Sequence, residues 1–227
     1  MPILSISSYN DYMYVIESIG ELNAAWLEVY SCTQELSIYF KASDQRGKVG
    51  SPIFDTVGTN AAIKEYLQAK GWSCNTKIPE QYNFLGKDVD FFKNGLLVEV
   101  QFSNYPFLLN NLVRSELFFK SKTLFCGHKV MAVCIITKAK KFPSSNSTLY
   151  YEQACRQVNF LSQYSVFECP IALIGIDSAV GVEIPCYWTD YKSERYSRDV
   201  SSRSLSKYVM DCRNEDSIGK VTIEKAF

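Results

Sequence analysis

The dipeptide Asn94-Gly95 places the tightest constraint on how this chain folds. It interrupts the run DVDFFKNGLLVEVQFSN (88–104), and Asn-Gly between two strand-like runs is the strongest short signal for a β-hairpin with a two-residue loop. With these two residues as the loop, the register of the hairpin sets Asp90 directly opposite Glu99. Side chains in such positions have Cβ atoms about 5 Å apart, so the sequence predicts a close pair of carboxylates.

The second strand of this hairpin is predicted to have one polar and one apolar face. Side chains alternate between the two faces of a strand, and the alternation separates Glu99, Gln101 and Ser103 from Val98, Val100 and Phe102. Two carboxylates and an amide therefore converge on one patch.

The opposed carboxylates need a compensating partner. Like charges that face each other across a sheet are destabilising, so Asp90 and Glu99 require a shared proton or a cation between them. Hard carboxylate oxygens select Mg²⁺. The alternative is an ordinary exposed hairpin with both carboxylates in solvent. The apolar run LLVEVQF favours the metal site, because an unpaired carboxylate in a central strand would be costly.

The rest of the chain predicts a layered α/β domain. Apolar spacing and cap residues predict helices at residues 16–29, at 59–72 with Thr59 or Asn60 as the N-cap and Gly71 near the end, from Pro106 onward, and at 149–164. Apolar runs predict strands at 130–137 and 170–176, and strand, helix, strand in this order is typical of α/β domains. The Gly- and Ser-rich segment 41–55 is interpreted as an ordered loop or hinge.

The C-terminal part of the chain has a different pattern. Residues 177–227 are rich in Tyr, Ser and Arg and show weak alternation, which predicts a smaller β-rich arm or subdomain. The full length of 227 residues suits one domain, so the arm is interpreted as part of a single domain over residues 1–227.

Several classes of protein are excluded or disfavoured by composition. No run approaches the roughly 20 apolar residues of a membrane helix, and the first residues lack the pattern of a secretory signal, so a cytoplasmic location is predicted. The eight cysteines never form a CxxC pair and are interpreted as reduced, buried hydrophobes. A single histidine, His128, makes histidine-based nucleophilic catalysis a poor hypothesis. Chemistry is expected from carboxylates and amides.

The spacing of Asp90, Glu99 and Gln101 resembles the active-site motif of the PD-(D/E)xK nuclease superfamily. The surrounding sequence is similar to the BglII-like type II restriction endonucleases. Five segments carry this resemblance in the same order, namely 41–60, 84–91, 97–118, 142–154 and 192–199. Matches as long as VEVQFSNYPFLLNN are far more specific than a three-residue motif.

The resemblance implies a restriction-endonuclease-like core, in which helices flank a central mixed β-sheet. Asp90, Glu99 and the Val100 carbonyl would bind catalytic Mg²⁺, one or two ions. Gln101 stands where most of the superfamily has lysine, and an amide supplies neither a positive charge nor a general base near neutral pH. Gln101 is therefore expected to orient water. The implied reaction is hydrolysis of a DNA phosphodiester by metal-activated water.

Base recognition is expected outside the catalytic motif. By resemblance, the candidate DNA-binding residues are Ser103, Asn104, Asn146, Ser147, Tyr196 and Arg198. Arginine can read guanine and asparagine can read adenine, each with two hydrogen bonds. The alternative for Asn146 and Ser147 is a helix N-cap. Glu194 departs from the family, which has lysine there, so the charge beside the DNA is reversed.

The net charge of zero is unusual for a DNA-binding protein, because phosphate neutralisation drives affinity. Local basic groups are expected to compensate, and the candidates are Lys41, Arg46, Lys48, Arg114, Lys120, Lys122, Lys138, Lys140 and Lys141. The alternative for each is a solvated surface charge.

The resemblance also predicts how the protein acts. It implies a homodimer whose two-fold axis matches a palindromic site, either AGATCT or the relaxed RGATCY, cut to leave four-base 5′ overhangs. A DNA methyltransferase of the same prokaryotic system is expected to protect the host genome. Two alternatives remain: a nuclease of repair or junction resolution without site specificity, and a catalytically silent DNA-binding module.

Overall fold

The computed structural model describes residues 2–144, 147–193, 198–212 and 218–226. The strands in these ranges are β1 (Ile3–Tyr9), β2 (Ile38–Ala42), β3 (Pro52–Phe54), β4 (Ser73–Lys77), β5 (Asp88–Lys93), β6 (Leu96–Val100), β7 (Leu124–Phe125), β8 (His128–Lys129), β9 (Ala132–Lys138), β10 (Ile171–Asp177), β11 (Glu183–Tyr191), β12 (Val200–Cys212) and β13 (Val221–Lys225). The α-helices are α1 (Tyr12–Ser18), α2 (Gly20–Glu35), α3 (Thr56–Ala69), α4 (Tyr105–Lys120) and α5 (Tyr151–Gln163), and a short 3₁₀ helix covers Glu80–Leu85.

A six-stranded mixed sheet lies at the centre of the fold. Its strand order is β1-β10-β9-β6-β5-β4, in which β9 pairs in parallel with both β10 and β6. The other neighbours in this sheet are antiparallel. The parallel β9-α5-β10 unit confirms the predicted α/β class and the predicted central mixed sheet.

The Asn-Gly hairpin forms in the predicted register. Lys93 pairs with Leu96, and Phe91 pairs with Val98. Asn94 and Gly95 both have positive φ, 49° and 92°, as a two-residue hairpin loop requires. A Cβ atom on Gly95 would lie only 3.1 Å from the Lys129 carbonyl oxygen, so the position demands glycine for space as well as for conformation.

Two apolar clusters cover the two faces of the central sheet. The first fills the space between that sheet, α1 to α3 and a second sheet of order β13-β12-β11-β2-β3. The second packs beneath α4 and α5. Val98 and Phe102 belong to the first cluster, whereas Leu97 belongs to the second. The predicted alternation along β6 is therefore confirmed.

Three local predictions need correction. The helix predicted at 16–29 is two helices, because Ile19 is extended with φ −128° and ψ 108°. Helix α3 begins at Thr56 rather than after Thr59 or Asn60, since Asp55 is already its N-cap and the Thr59 hydroxyl donates back to the Asp55 carbonyl (2.8 Å). The segment 41–55 is not a loop throughout, because β2 and β3 pair antiparallel within it.

The remaining sequence predictions concern the tail, the thiols and the lone imidazole. β11 to β13 lie in the second sheet, and β2 and β3 from the N-terminal third complete it.

All eight cysteines are free, with Cys32, Cys134, Cys169 and Cys186 buried and Cys126 exposed, so the predicted burial is wrong for Cys126. Burial raises the pKa of the Cys32 and Cys186 thiols to about 12. His128 is exposed on β8.

No helix within the described residues has the length and apolar character needed to cross a membrane.

Candidate active site

The hairpin brings the two predicted metal ligands onto one patch. Glu99 is 2% exposed. Asp90 directly precedes Phe91, whose pairing with Val98 is the backbone pair of this hairpin farthest from the loop. The Val100 amide donates to Asp90 Oδ2 (2.8 Å), so the carboxylate is fixed against the opposite strand. Burial raises the pKa of Asp90. Burial, reinforced by the charge of Asp90, raises the pKa of Glu99 to about 8.

A buried guanidinium compensates part of this charge. Arg114 on α4 is 8% exposed, and its Nη2 lies 2.5 Å from Glu99 Oε1. Its Nη1 donates to the Asp88 carbonyl (3.1 Å), and its Nε has no hydrogen-bond partner within the described part of the chain. The sequence interpretation of Arg114 as a surface basic group is therefore wrong, because it lies on the buried face of its helix.

Gln101 is fixed by two side chains. Its Oε1 accepts from Asn111 Nδ2 (3.0 Å), and its Nε2 donates to the Ser103 hydroxyl. Its backbone amide donates to the Ile136 carbonyl (2.8 Å), which continues the pairing of β6 with β9. Sequence reasoning missed Asn111, which lies on the buried face of α4 together with Arg114.

A polar cleft opens beside this cluster. Its volume is about 300 Å³, and it is lined by Thr56, Asn60, Val100, Gln101, Phe102, Ser103, Asn104 and Ser147. The cleft thus joins the end of β6 to two of the three segments predicted to read bases. Thr56 and Asn60, in the first turns of α3, were not predicted as site residues.

Two predicted recognition segments contact each other directly. Asn104 Oδ1 accepts from the backbone amide and the hydroxyl of Thr148 (3.2 and 3.1 Å). The Leu149 amide donates to the Ser103 carbonyl (3.1 Å). The N-cap of α5 is Tyr150, so the N-cap alternative for Asn146 and Ser147 is wrong. Asn146 itself lies outside the described residues.

The third predicted recognition segment joins β11 to β12. Tyr196 and Glu194 lie outside the described residues, and Arg198 is exposed. Among the described residues that line the cleft, Arg198 does not occur. The base of this connection is anchored near the cleft, because the Tyr191 hydroxyl donates to the carboxylate of Asp55 (2.7 Å to Oδ2), the residue that precedes Thr56.

The predicted basic groups differ widely in exposure. Arg46, Lys48, Lys120 and Lys122 are exposed, and Lys41, Lys140 and Lys141 are half-buried. Lys120 pairs with Glu116 and Glu168. Lys138 is completely buried, so both sequence interpretations, a DNA-facing charge and a solvated one, are wrong for it.

The donor atoms of the patch fit a hard cation. Within the described ranges, no group of three or more His, Cys, Asp or Glu side chains could hold a metal ion. The patch instead offers two carboxylates, Asp90 and Glu99, and the Val100 backbone carbonyl, all of them oxygen donors of the kind that Mg²⁺ prefers. Burial that raises the pKa of both carboxyls would also favour a compensating cation.

Comparison with known proteins gives a consistent result. The family model for restriction endonuclease BglII/BglIII matches residues 9–176. Type II restriction enzyme BglII from Bacillus subtilis is 50% identical over 182 residues, which are 80% of this chain and 82% of that protein.

Two crystal structures of BglII match almost all of the chain. The complex with a DNA 16-mer has a TM-score of 0.91 and 43% identity, and it covers 99% of this chain and 100% of that one. Free BglII has a TM-score of 0.73 and 39% identity at the same coverage. The backbone is thus more similar to the DNA complex than to the free protein. On the match of family, sequence and structure, this chain belongs to the BglII/BglIII family of restriction endonucleases.

Proposed function

We propose that the protein is a type II restriction endonuclease that hydrolyses double-stranded DNA at a palindromic GATC-containing site and depends on Mg²⁺. One observation carries the proposal: Val100, whose amide donates to the Asp90 carboxylate, and Gln101 line a polar cleft that also contains Ser103 and Ser147. The cleft therefore combines groups suited to phosphodiester hydrolysis with groups suited to base contact.

Asp90, Glu99 and the Val100 carbonyl would hold Mg²⁺. When bound, the ion supplies Lewis-acid stabilisation of the phosphate charge and lowers the pKa of a water molecule. Asp90 is held by the Val100 amide, and Glu99 is held by Arg114. Both carboxylates are therefore oriented by the protein itself, which reduces the entropy lost on binding.

Gln101 would orient the attacking water. Asn111 holds its carbonyl oxygen, and this contact directs the amide nitrogen toward Ser103. An amide can donate to water or to a phosphate oxygen but cannot remove a proton near neutral pH. The proton of the water would consequently leave to solvent or to the phosphate.

Sequence would be read by groups in and beside the cleft. Phosphate contacts position an enzyme, whereas contacts to base edges specify the site. Ser103, Asn104 and Ser147 line the cleft, and we assign base contacts to them together with Asn146, Tyr196 and Arg198. The expected site is AGATCT, or RGATCY if the outer pair is read only as purine and pyrimidine. The reversed charge at Glu194 is the first difference to test between these two.

We also propose a homodimer, because two identical subunits match the two halves of a palindrome. Helix α4, which begins directly after Asn104, exposes apolar side chains that a second subunit could cover, namely Tyr105, Phe107, Leu109 and Val113. The assignment of residues 1–227 to one domain, with 177–227 as its β-rich arm, is supported by the apolar cluster that joins both large sheets. The expected compartment is the prokaryotic cytoplasm, where a methyltransferase would protect the host DNA.

Removal of the metal gives the first test of this function. Incubated with unmethylated plasmid and Mg²⁺, the protein is expected to yield discrete fragments; with excess EDTA the plasmid stays intact, and added Mg²⁺ restores cutting. The measurement is gel electrophoresis of a time course. A smear would indicate a nuclease without site specificity, and duplex binding without cutting would indicate a silent binding module; each outcome contradicts the proposal.

A further inference from the structure

Lys138, at the end of β9, is a lysine buried inside the protein. None of its surface is exposed, which is rare for a lysine. Burial lowers the pKa of its ammonium group to about 7. Burying an ammonium group is energetically costly, so the surrounding contacts should show what compensates this cost.

Three contacts within the described residues engage the ammonium group of Lys138. Nζ donates to the Ser147 hydroxyl (2.5 Å) and to the Leu149 carbonyl (2.7 Å), and it lies 4.2 Å from the centroid of the Tyr150 ring. An ammonium group has three N–H donors and no acceptor. Two hydrogen bonds and one cation–π contact therefore match its three donors.

These partners all belong to one segment, the one that enters α5 and carries Ser147. The same segment touches the end of the catalytic strand, because the Leu149 amide donates to the Ser103 carbonyl (3.1 Å) and Thr148 donates to Asn104. Lys138 itself stands two residues beyond Ile136, whose carbonyl receives the Gln101 amide (2.8 Å). One ammonium group thus ties the Ser147 segment to the strand next to the catalytic one.

We propose that Lys138 is a positioning residue for sequence recognition: it holds Ser147 at the cleft, so that this side chain meets the base edges in one fixed geometry. This proposal rests on the proposed function. Lys138 does not touch DNA, because it is buried beneath the segment. Its effect should therefore appear in discrimination between DNA sites rather than in general affinity for DNA.

Lys138→Met tests the proposal, because methionine fills a similar volume without the charge or the donors. We expect the variant to fold, because no charge remains buried and the loss is limited to hydrogen bonds with the Ser147 hydroxyl and the Leu149 carbonyl. Binding is measured with Ca²⁺ in place of Mg²⁺ on duplexes with AGATCT, with GGATCC and with no GATC. The ratio of specific to non-specific affinity should fall about tenfold or more, because hydrogen bonds to a charged group are lost.

Lys129→Met is the matched control. Lys129 is exposed on β8, before the other end of β9, and its replacement removes the same charge without touching the Ser147 segment. Its discrimination ratio should equal that of the wild type. An unchanged ratio in Lys138→Met, or an equal fall in specific and non-specific affinity, would overturn the positioning role.

If Lys138→Met does not fold, Lys138→Gln takes its place. A double-mutant cycle that combines the Lys138 variant with Ser147→Ala supplies a second measurement. The loss at Lys138 should be smaller when Ser147 is already alanine, because the two share a contact; fully additive losses would contradict the proposal. Binding by the wild-type protein distinguishes a failure of the proposed function from a failure of the role of Lys138. If it shows no preference for any GATC duplex, the proposed function fails; if it does and the variant matches it, only the role of Lys138 fails.

Discussion

Asp90→Ala and Glu99→Ala will each abolish DNA cleavage while leaving duplex binding in place. Glu99 is buried and Asp90 is half-buried with its carboxylate held by the Val100 amide; because both are oxygen donors proposed for Mg²⁺, removing either one removes a metal ligand. We expect the rate of cleavage to fall at least about 1000-fold, or about 4 kcal/mol of transition-state stabilisation. The measurement is a time course of cleavage with Mg²⁺, beside a binding titration on the same duplex with Ca²⁺.

The control for this experiment is Glu28 on α2, which contacts the same hairpin. Glu28 pairs with Lys93 of β5 at 2.8 Å, at the loop end of the strand and away from the cleft. Glu28→Gln also removes one carboxylate charge, and it should cut DNA at close to the wild-type rate. If Asp90→Ala or Glu99→Ala cuts as fast as the wild type, the assignment of the metal ligands is wrong.

Arg114→Met will destabilise the folded protein by about 3 kcal/mol in metal-free buffer. The guanidinium lies 2.5 Å from Glu99, with side-chain exposures of 9% and 2%, and removing one partner of a buried pair typically costs about 3–5 kcal/mol. We expect the lower end of this range, because the raised pKa of Glu99 lets the unpaired carboxyl take up a proton. The measurement is equilibrium unfolding in urea without divalent ions.

The double variant Arg114→Met with Glu99→Gln is the internal control for this effect. It removes both charges of the buried pair, so it should recover most of the lost free energy of unfolding. A single variant as stable as the wild type would show that Arg114 contributes nothing to the metal-free site. A double variant as unstable as the single one would assign the loss to packing rather than to charge.

The hairpin and its carboxylates could be predicted because they depend on local sequence. Asn94 and Gly95 fix the loop, and the loop fixes the register. In the structure, Lys93 to Phe91 pair with the opposite strand in that register. Asp90 and Glu99 are the next residues on the two strands, so the loop also predicts that they lie close together. The sequence predicts that the opposed carboxylates need a shared proton or a cation. It could not show that the Arg114 guanidinium on α4 lies against Glu99.

The residues that support the site depend on how distant elements pack. Arg114 and Asn111 reach Glu99 and Gln101 only because α4 lies against the central sheet, and no local pattern gives the direction of that face. The burial of Lys138 contradicts the usual surface position of lysine. Its reason is the Ser147 segment, whose position relative to β9 is set by tertiary contacts.

Errors at element ends have equally local physical causes. The break at Ile19 divides a stripe whose apolar spacing continues through both α1 and α2, so periodicity alone could not detect it. The Gly and Ser residues of the 41–55 segment are typical of a loop, so the short antiparallel pair of strands within it was not predicted. Thr56 and Asn60 enter the cleft because α3 begins at Thr56, earlier than its cap residues indicated.

Mapping both strand breaks in unmethylated DNA of known sequence tests the central claim most directly. We expect every cut in the presence of Mg²⁺ to fall at a GATC-containing palindrome and to leave a four-base 5′ overhang. Cuts at AGATCT alone would mean that the outer pair is read fully, whereas cuts throughout RGATCY would mean that only purine and pyrimidine are distinguished there. Cuts at sites without GATC, or no cuts by a protein that binds the duplex, would contradict the account.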